Sequence, residues 1–340
     1  MDITSNKKRV TQADVARYAQ VSQAMVSYVI NGSAVSIPLE TKDRIVKAME
    51  ELGYIPNVTA RRLRASKTLT IAGIIPDITN PFYPAFERGV QDIVDKQNYD
   101  LIIYNTDGKK AKEEKCLHSL LQGRVDGVVG VFFHLSAKEL FPLLEQGIAV
   151  VRLEAIPKAA GKLPLDNLYI DNVAAAKEAV TYLIGKGHKR IGILASEDGP
   201  SSFRVKGYKE ALEGHGLQLE KKLIQTGSYN EEGGFETMQR VLELTQPPTA
   251  IFAANDLMAM GAMVAVRKAG LHIPDDIAVM GFDDIPAAKL IHPTLSSVAQ
   301  GQRRMGQRAA EMLFERLNGN APATGRSEAI PYQLISRESA

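Results

Sequence analysis

The chain of 340 residues holds a single cysteine, Cys116. No disulfide can form within it, and a reducing cytoplasm is the natural setting. Its six histidines are scattered without metal-ligand spacing and no CxxC pair occurs, which argues against a structural zinc site. No apolar run approaches the roughly 18 residues that a membrane-crossing helix needs. The N-terminal stretch MDITSNKKRVTQ is basic but has no apolar segment after it, so it does not read as a secretory signal. The phosphate-loop patterns GxGxxG and GxxxxGK(S/T) are absent, as is the GxSxG elbow of hydrolases. No cofactor, no metal and no catalytic residue are expected.

What is present is a soluble globular composition, 45% hydrophobic and 24% charged, on a chain long enough for two or three domains. The net charge of +2 conceals an asymmetry. Residues 1–68 carry eleven Lys/Arg against six Asp/Glu, and the remainder carries thirty against thirty-three. A basic head on a slightly acidic body is the footprint expected of a head that meets phosphates.

In the head, Thr11 is placed to cap a helix running to about Tyr18, with Asp14 as its capping-box partner. After a short turn, Ser22 caps a second helix that reaches about Asn31 and stops at Gly32. Pro38 opens a third helix that ends near Leu52, with Gly53 as its stop. Val26, Val29 and Ile30 form one face of the second helix, and Ile45, Met49 and Leu52 the buried stripe of the third. Gln23, Ala24, Ser27 and Tyr28 project elsewhere. Two short helices joined by a tight turn are either a plain helical hairpin or a helix-turn-helix whose second helix enters a major groove. Residues 54–64, YIPNVTARRLR, follow with a proline turn, Asn57 as a helix cap and a short basic amphipathic segment. A helix so short forms only when packed on a partner or on nucleic acid.

The stretches VTQADVARYAQVSQAMVSYVING, ETKDRIVKAMEELGYIPN and ARRLR resemble the DNA-binding head and hinge of the lac repressor/galactose repressor (LacI/GalR) family of bacterial transcription regulators. The resemblance continues through NPFY, DNVAAAKEAVTYLIGKGHKRIGIL, FAANDLMAMGAMVAVRKAGLHIPDDIAVMGFDDI and SSVAQ, and so spans nearly the whole chain in order. It implies that Gln23 and Ala24 meet operator bases and that Ser27 meets the DNA backbone. Tyr28 stands where most members carry an arginine. Arginine forks onto guanine, which tyrosine cannot do, so the family's base preference does not transfer at that position. Leu63 matches a hinge leucine that enters the minor groove and kinks the duplex, the alternative being packing between two hinge helices. Asn57 and Ala60 share that hinge, and Arg61, Arg62 and Arg64 are expected on phosphates.

From Leu69 onward, short apolar β-rich runs alternate with amphipathic helical segments, the pattern of parallel sheets covered on both faces. There are too many units for one sheet. TIAGIIPD…FERGVQDI resembles RIGILASED…RVKGYKEAL as a weak internal repeat. The expected fold is a small all-α helix-turn-helix head plus an α/β, periplasmic-binding-protein-like body. That body has two doubly wound parallel-sheet subdomains with a ligand cleft between them. The expected boundaries are a head at 1–56, a hinge helix at 57–67 and an effector-binding and dimerisation domain at 68–340. Its N-subdomain is expected at about 68–163 plus 293–322, and its C-subdomain at about 164–292 plus 323–340.

Ligands of such sheets bind at the carboxyl ends of strands. Phe82, Tyr83, Asp171, Arg204, Asn255, Asp283 and Gln300 fall there and are the candidate effector contacts. By the resemblance, Arg204, Asn255 and Asp283 match the most recurrent ligand contacts. Asp256 reads better as a helix cap, and Asp284 as structural. The run KKAKEEK at 109–115 reads as a solvated helix face with i,i+4 pairs. The implied partners are a pseudo-palindromic double-stranded DNA operator, a second copy of the chain, and a small effector. A sugar or sugar phosphate leads among effectors, with a purine or a protein co-repressor as alternatives and inducer versus co-repressor open. No leucine heptad follows IPYQLIS, so a tetramer is not expected. The rival reading is a transport-type solute-binding protein with the same body, which would carry an export signal and no basic head.

Overall fold

The computed structural model describes residues 10–31, 35–54, 67–197 and 199–340. The chain divides into two compact units, Met1–Lys67 and Thr68–Ala340. No helix among the described residues is long and apolar enough to cross a membrane.

Among the described residues the first unit holds three helices, α1 Gln12–Tyr18, α2 Gln23–Asn31 and α3 Leu39–Glu51. Thr11 and Asp14 form the expected capping box, the Asp14 N–H donating to Thr11 Oγ1 at 3.3 Å and the Thr11 N–H to Asp14 Oδ2 at 3.0 Å. Ser22 Oγ caps α2 by accepting the Met25 N–H at 3.2 Å. Pro38 stands at the cap of α3, one residue ahead of its expected place as the first helical residue. Val15, Ala16, Ala19, Val26, Ile45 and Ala48 form the shared core, with Val29, Ile30, Met49 and Leu52 packed at its edge. The Tyr18 hydroxyl donates to Glu51 Oε2 at 2.6 Å and ties α1 to α3. Gly32 and residues 55–66, which include all of the expected hinge at 57–67 except Lys67, lie outside the described residues.

The second unit holds two six-stranded sheets. The first is built from β1 Thr70–Ile75, β2 Asp100–Asn105, β3 Gly127–Val131, β4 Ala149–Glu154 and β5 Leu165–Tyr169, with helices α4 Phe82–Lys96, α5 Lys110–Leu120 and α6 Phe141–Glu145 between them. The second is built from β6 Ile191–Ala195, β7 Ile224–Thr226, β8 Ala250–Ala253, β9 Ala278–Asp283 and β10 Ser296–Ala299, with α7 Asn172–Gly185, α8 Ser201–Gly214, α9 Glu231–Leu242 and α10 Asp256–Lys268. The chain then adds α11 Gln302–Leu317 and β11 Ser327–Ala329 to the first sheet and β12 Gln333–Ile335 to the second. The strand orders are β11-β5-β4-β3-β1-β2 and β12-β10-β9-β8-β6-β7. Without the added edge strands both read 2-1-3-4-5, so the internal repeat is architectural: β1–α4 in one sheet stands where β6–α8 stands in the other. All pairings are parallel save β10 with β12, which is antiparallel. Strands β7 and β11, each of three residues, were not expected from the sequence.

The sheet pairings move the subdomain boundaries. The residues at 164–169 were expected in the C-subdomain, but β5 pairs with β4, Val150 opposite Leu165. Those at 293–299 were expected in the N-subdomain, but β10 pairs with β9, Ser296 opposite Met280. Those at 323–329 were expected in the C-subdomain, but β11 pairs with β5. Each crossing thus follows a strand instead of preceding it, at about 170–171, 300–301 and 330–332. The reason for the third is visible in charge pairing. Asp166, fully buried at the start of β5, receives Arg316 Nη2 at 2.6 Å and Arg326 Nη2 at 2.8 Å, which holds the segment before β11 against the first sheet. On that sheet α4 and α11 approach so closely that a Cβ built on Gly306 would stand 1.9 Å from the Phe86 carbonyl oxygen.

Candidate functional site

On α2 the apolar and polar faces separate as the sequence predicts. Val26 is fully buried, Gln23 and Ala24 are exposed, Ser27 is half-buried, and Tyr28 is 40% exposed. The first turn of α2 carries no acidic residue, so its positive dipole end faces outward without a competing carboxylate. A helix that spends one face on a three-helix core leaves the other as a continuous contact surface. The expected hinge contacts Asn57, Ala60, Arg61, Arg62, Leu63 and Arg64 lie outside the described residues.

In the second unit a cavity of about 460 Å³ collects the carboxyl ends of strands from both sheets. Phe82, Tyr83, Arg204, Asp283 and Gln300 line it, as expected; Asp171 and Asn255 do not. Asp171 Oδ1 instead accepts the Ala174 N–H at 3.0 Å and caps α7. Asn255 Oδ1 accepts the Met258 N–H at 2.8 Å and caps α10, while its Nδ2 donates to the Tyr229 carbonyl at 3.2 Å. Both short polar side chains are drawn to unpaired helix N–H groups, the competing demand at any strand-to-helix junction. The cap expected of Asp256 therefore falls to Asn255.

Arg204, 3% exposed, is the centre of the site. Its Nε donates to Asn172 Oδ1 at 2.9 Å and its Nη1 to the Tyr229 hydroxyl at 2.8 Å and to the Ala254 carbonyl. The guanidinium lies over the Phe282 ring, 3.6 Å from its centroid, and Nη1 stands 3.5 Å from Asp283 Oδ1. Gln300 Nε2 donates to the same Oδ1 at 2.5 Å. Burial pushes the Asp283 carboxyl up to about 6, against the pull of Arg204 and the Gln300 amide. Burial likewise lifts the Tyr83 and Tyr229 phenols well above their ordinary value, so both stay neutral donors.

The backbone at Asp283 is itself strained, with φ of +117°. A non-glycine residue there costs about 1–3 kcal/mol and persists only when its surroundings hold it. They do so here. Asp256 Oδ2 accepts the Ile285 N–H at 2.8 Å, Asp256 Oδ1 accepts the Ser297 hydroxyl at 2.6 Å, and Ser297 Oγ accepts the Asp284 N–H at 3.1 Å. Asp256 is thus a brace under the turn that presents Asp283, and burial raises its carboxyl well above the usual range. Asp284 is structural as expected, joined to Arg337 Nη2 at 2.6 Å.

The cavity also contains residues the sequence reading passed over: Asn172, Tyr229, Phe133, Arg152 and Glu154. Arg152 carried a signal, being a charge inside the apolar run IAVVRL. Tyr229 carried none, because β7 is too short to be recognised. The charge run at 109–115 is solvated in part, with Lys110 and Glu114 paired at 3.8 Å. Glu113 is the exception. It is 1% exposed and accepts the N–H groups of Phe133, His134 and Leu135 at 2.8, 3.1 and 3.0 Å, fixing the loop that walls the cavity.

The chain matches two family models: bacterial regulatory proteins of the lacI family over residues 11–57, and a periplasmic binding protein-like domain over residues 180–340. It is 36% identical to catabolite control protein A of Priestia megaterium, over 97% of this chain and 99% of that protein. It is 32% identical to the HTH-type transcriptional repressor CytR of Escherichia coli (strain K12), over 100% of this chain and 98% of that one. Among solved structures, the lac repressor dimer bound to operator and the anti-inducer ONPF superposes with a TM-score of 0.86 at 26% identity, covering 98% of this chain and 99% of that chain. The helix-turn-helix head, the two-sheet body and these full-length similarities together show that the chain belongs to the LacI family and is a DNA-binding transcriptional regulator.

Proposed function

We propose that this regulator is a repressor that binds a pseudo-palindromic operator as a dimer, and that a carbohydrate effector in the cleft of the body controls it. Gln23 and Ala24 contact bases, Ser27 contacts the backbone, and Tyr28 presents a ring and one hydroxyl where a forked cation would read guanine. Residues 57–67 serve as the hinge, with Leu63 as the minor-groove wedge and Arg61, Arg62 and Arg64 on phosphates. The chain works by binding alone, as a cytoplasmic protein. The adjacent carboxylates Asp283 and Asp284 do not act as a catalytic pair, since Asp284 is held by Arg337. A second copy docks along edge strand β2, where Ile102 and Ile103 are exposed on a sheet edge that nothing in the described chain covers.

One observation carries the effector reading. Arg204 Nη2 and Asp283 Oδ2 have no hydrogen-bond partner among the described residues, and both side chains line the cavity. A planar donor pair beside an acceptor, with Phe82 and Tyr83 near, suits adjacent hydroxyls on a ring with apolar faces. An effector acts by binding one conformation better than another. A thermal-shift screen over sugars, sugar phosphates and purines tests it, since a ligand at 100 times its Kd adds about 2.7 kcal/mol. A ligand that stabilises the wild type but not Arg204→Met supports the site. Equal stabilisation of both moves the effector elsewhere.

A further inference from the structure

The core of the first sheet contains an acid that the cavity does not use. Glu87, 3% exposed, lies one turn beyond Tyr83 on α4, and neither carboxyl oxygen has a hydrogen-bond partner among the described residues. Gly73, inside β1, makes room for it. A Cβ built there would stand 2.3 Å from Glu87 Oε2 and 2.7 Å from Cδ and Oε1. A glycine inside a strand and a buried carboxyl without a partner each cost stability. Here the two occur together, and the carboxyl fills the space that the glycine leaves.

The charged groups around it are committed elsewhere. Strands β1 and β3 carry no ionisable side chain. On β2, Ile103 stands opposite Gly73, while Asp100 and Tyr104 alternate to the other face of the sheet. Tyr99, just before β2, bonds to Asp126. On α11, Arg303 is held by Asp92 at 2.7 Å, and Arg88 of α4 pairs with the same carboxylate at 3.1 Å. The Tyr83 phenol is neutral. Burial is therefore what raises the Glu87 carboxyl, to about 8.

Helix α4 connects two parts of the regulator. Its first residues, Phe82 and Tyr83, line the cavity. Its Glu87 rests on β1, the first strand after the head unit, which ends at Lys67. The start of that strand is pinned, because Asp126 accepts the Thr68 and Leu69 N–H groups at 2.7 and 2.9 Å. Against α11 the helix has no slack: a Cβ on Gly89 would stand 2.0 Å from the Arg303 carbonyl oxygen. A charge at Glu87 is thus relieved by α4 and α11 lifting together from the sheet, not by α4 sliding past its neighbour.

We propose that Glu87 is a proton switch: protonated, it clasps α4 to β1, and ionised, it lifts α4 together with the Phe82–Tyr83 wall of the cavity. Linkage gives the size of the effect. An opening that carries Glu87 into water returns its carboxyl to the ordinary 4.5, so the open form grows about tenfold between pH 7 and 9. Openings of the second sheet leave Glu87 in place and carry no such dependence.

The test uses the full chain as wild type and as Glu87→Gln, which keeps the shape and cannot ionise. Infrared spectroscopy reads the proton. At pH 7 the wild type should show a protonated-carboxyl stretch that Glu87→Gln lacks, fading towards pH 9; Asp256 is common to both and cancels in the difference. Amide exchange, corrected for its intrinsic rise with pH, reads the helix. Protection across β1 and the first turns of α4 should fall about tenfold from pH 7 to 9 in wild type and stay level in Glu87→Gln. Strands β8 and β9 should stay level in both. If Glu87→Gln does not fold, Glu87→Met is read in the same way. A missing wild-type band at pH 7 overturns the switch, as does wild-type protection that stays level or a fall that survives the substitution. An equal fall in β8 and β9 means that Glu87 meets water only when the whole body unfolds, and it overturns the switch as well.

Discussion

Glu87 sits on α4 with its carboxylate flat against the β1 backbone, where a Cβ on Gly73 would stand 2.3 Å from Oε2. It is 3% exposed, neither oxygen has a hydrogen-bond partner among the described residues, and burial raises its carboxyl to about 8. A raised carboxylate favours the protonated fold. Its contribution is fully present below the unfolded value of 4.5 and is lost as pH rises through about 8. Glu87→Met is therefore expected to gain stability over wild type from pH 5 to 9, by on the order of 4 kcal/mol at the alkaline end, and to match it near pH 4. Urea unfolding at fixed pH values measures this, and a difference independent of pH would contradict it. Asp283 gives the second residue-scale expectation. Ionised, it accepts hydroxyls, so effector affinity should be flat above pH 7 and fall as pH drops through about 6. Titration calorimetry with the ligand found in the screen follows the change, and Asp283→Asn should flatten it. Neither environment is readable from sequence, because each depends on what stands across the sheet or turn.

At the scale of elements, α2 divides its labour cleanly. Gln23→Ala removes an exposed side chain and is expected to weaken operator binding by about 1–3 kcal/mol with little loss of head stability. Val26→Ala does the reverse, leaving a void between the three helices and melting the head first. Anisotropy titration against operator DNA and circular dichroism separate the two effects. This division was legible from the spacing of Val26, Val29 and Ile30 and from the caps at Thr11 and Ser22, because helix periodicity and capping are local. The loop Phe133–Leu135 is different. Glu113, on another element, holds it by accepting the loop's three backbone N–H groups. Glu113→Gln turns one acceptor into a donor facing donors, so a loss of about 1–3 kcal/mol is expected, with faster amide exchange at 133–135. Unchanged exchange there would remove Glu113 from the role. Within KKAKEEK nothing local distinguishes the one buried acid from its solvated neighbours.

For the whole molecule, two contacts matter. Ile103, exposed on edge strand β2, is expected at the dimer surface, so Ile103→Glu should convert dimer to monomer in sedimentation velocity. A variant still dimeric at micromolar concentration would place the interface elsewhere. The second contact spans the cleft. A Cβ built on Gly199, after β6, would stand 3.0 Å from Phe133 Cζ, after β3, and Gly199 has φ of +62°. The two halves of the body meet there through a ring and a glycine. The sequence predicts two repeated doubly wound halves, and the matching 2-1-3-4-5 orders bear this out. It misplaces all three crossings, since the strands beside them, LDNLY, SSVA and SEA, are short and polar and nothing local says which sheet each joins.

What the sequence by itself determined is whatever short-range chemistry specifies. This covers the three helices of the head and the caps of the first two, the alternation of buried strands and helices in the body, and the polar residues that follow each strand. Tertiary structure decided which of those residues line the cavity. Asn255 and Asp171 have the right chemistry at the right strand ends, yet helix N–H groups claim them. Arg152 sits inside an apolar strand, yet faces the cavity. Those two caps form within three residues of chain, whereas Arg204 meets Asn172, Tyr229 and Asp283 from other elements, pairings that no window of sequence contains.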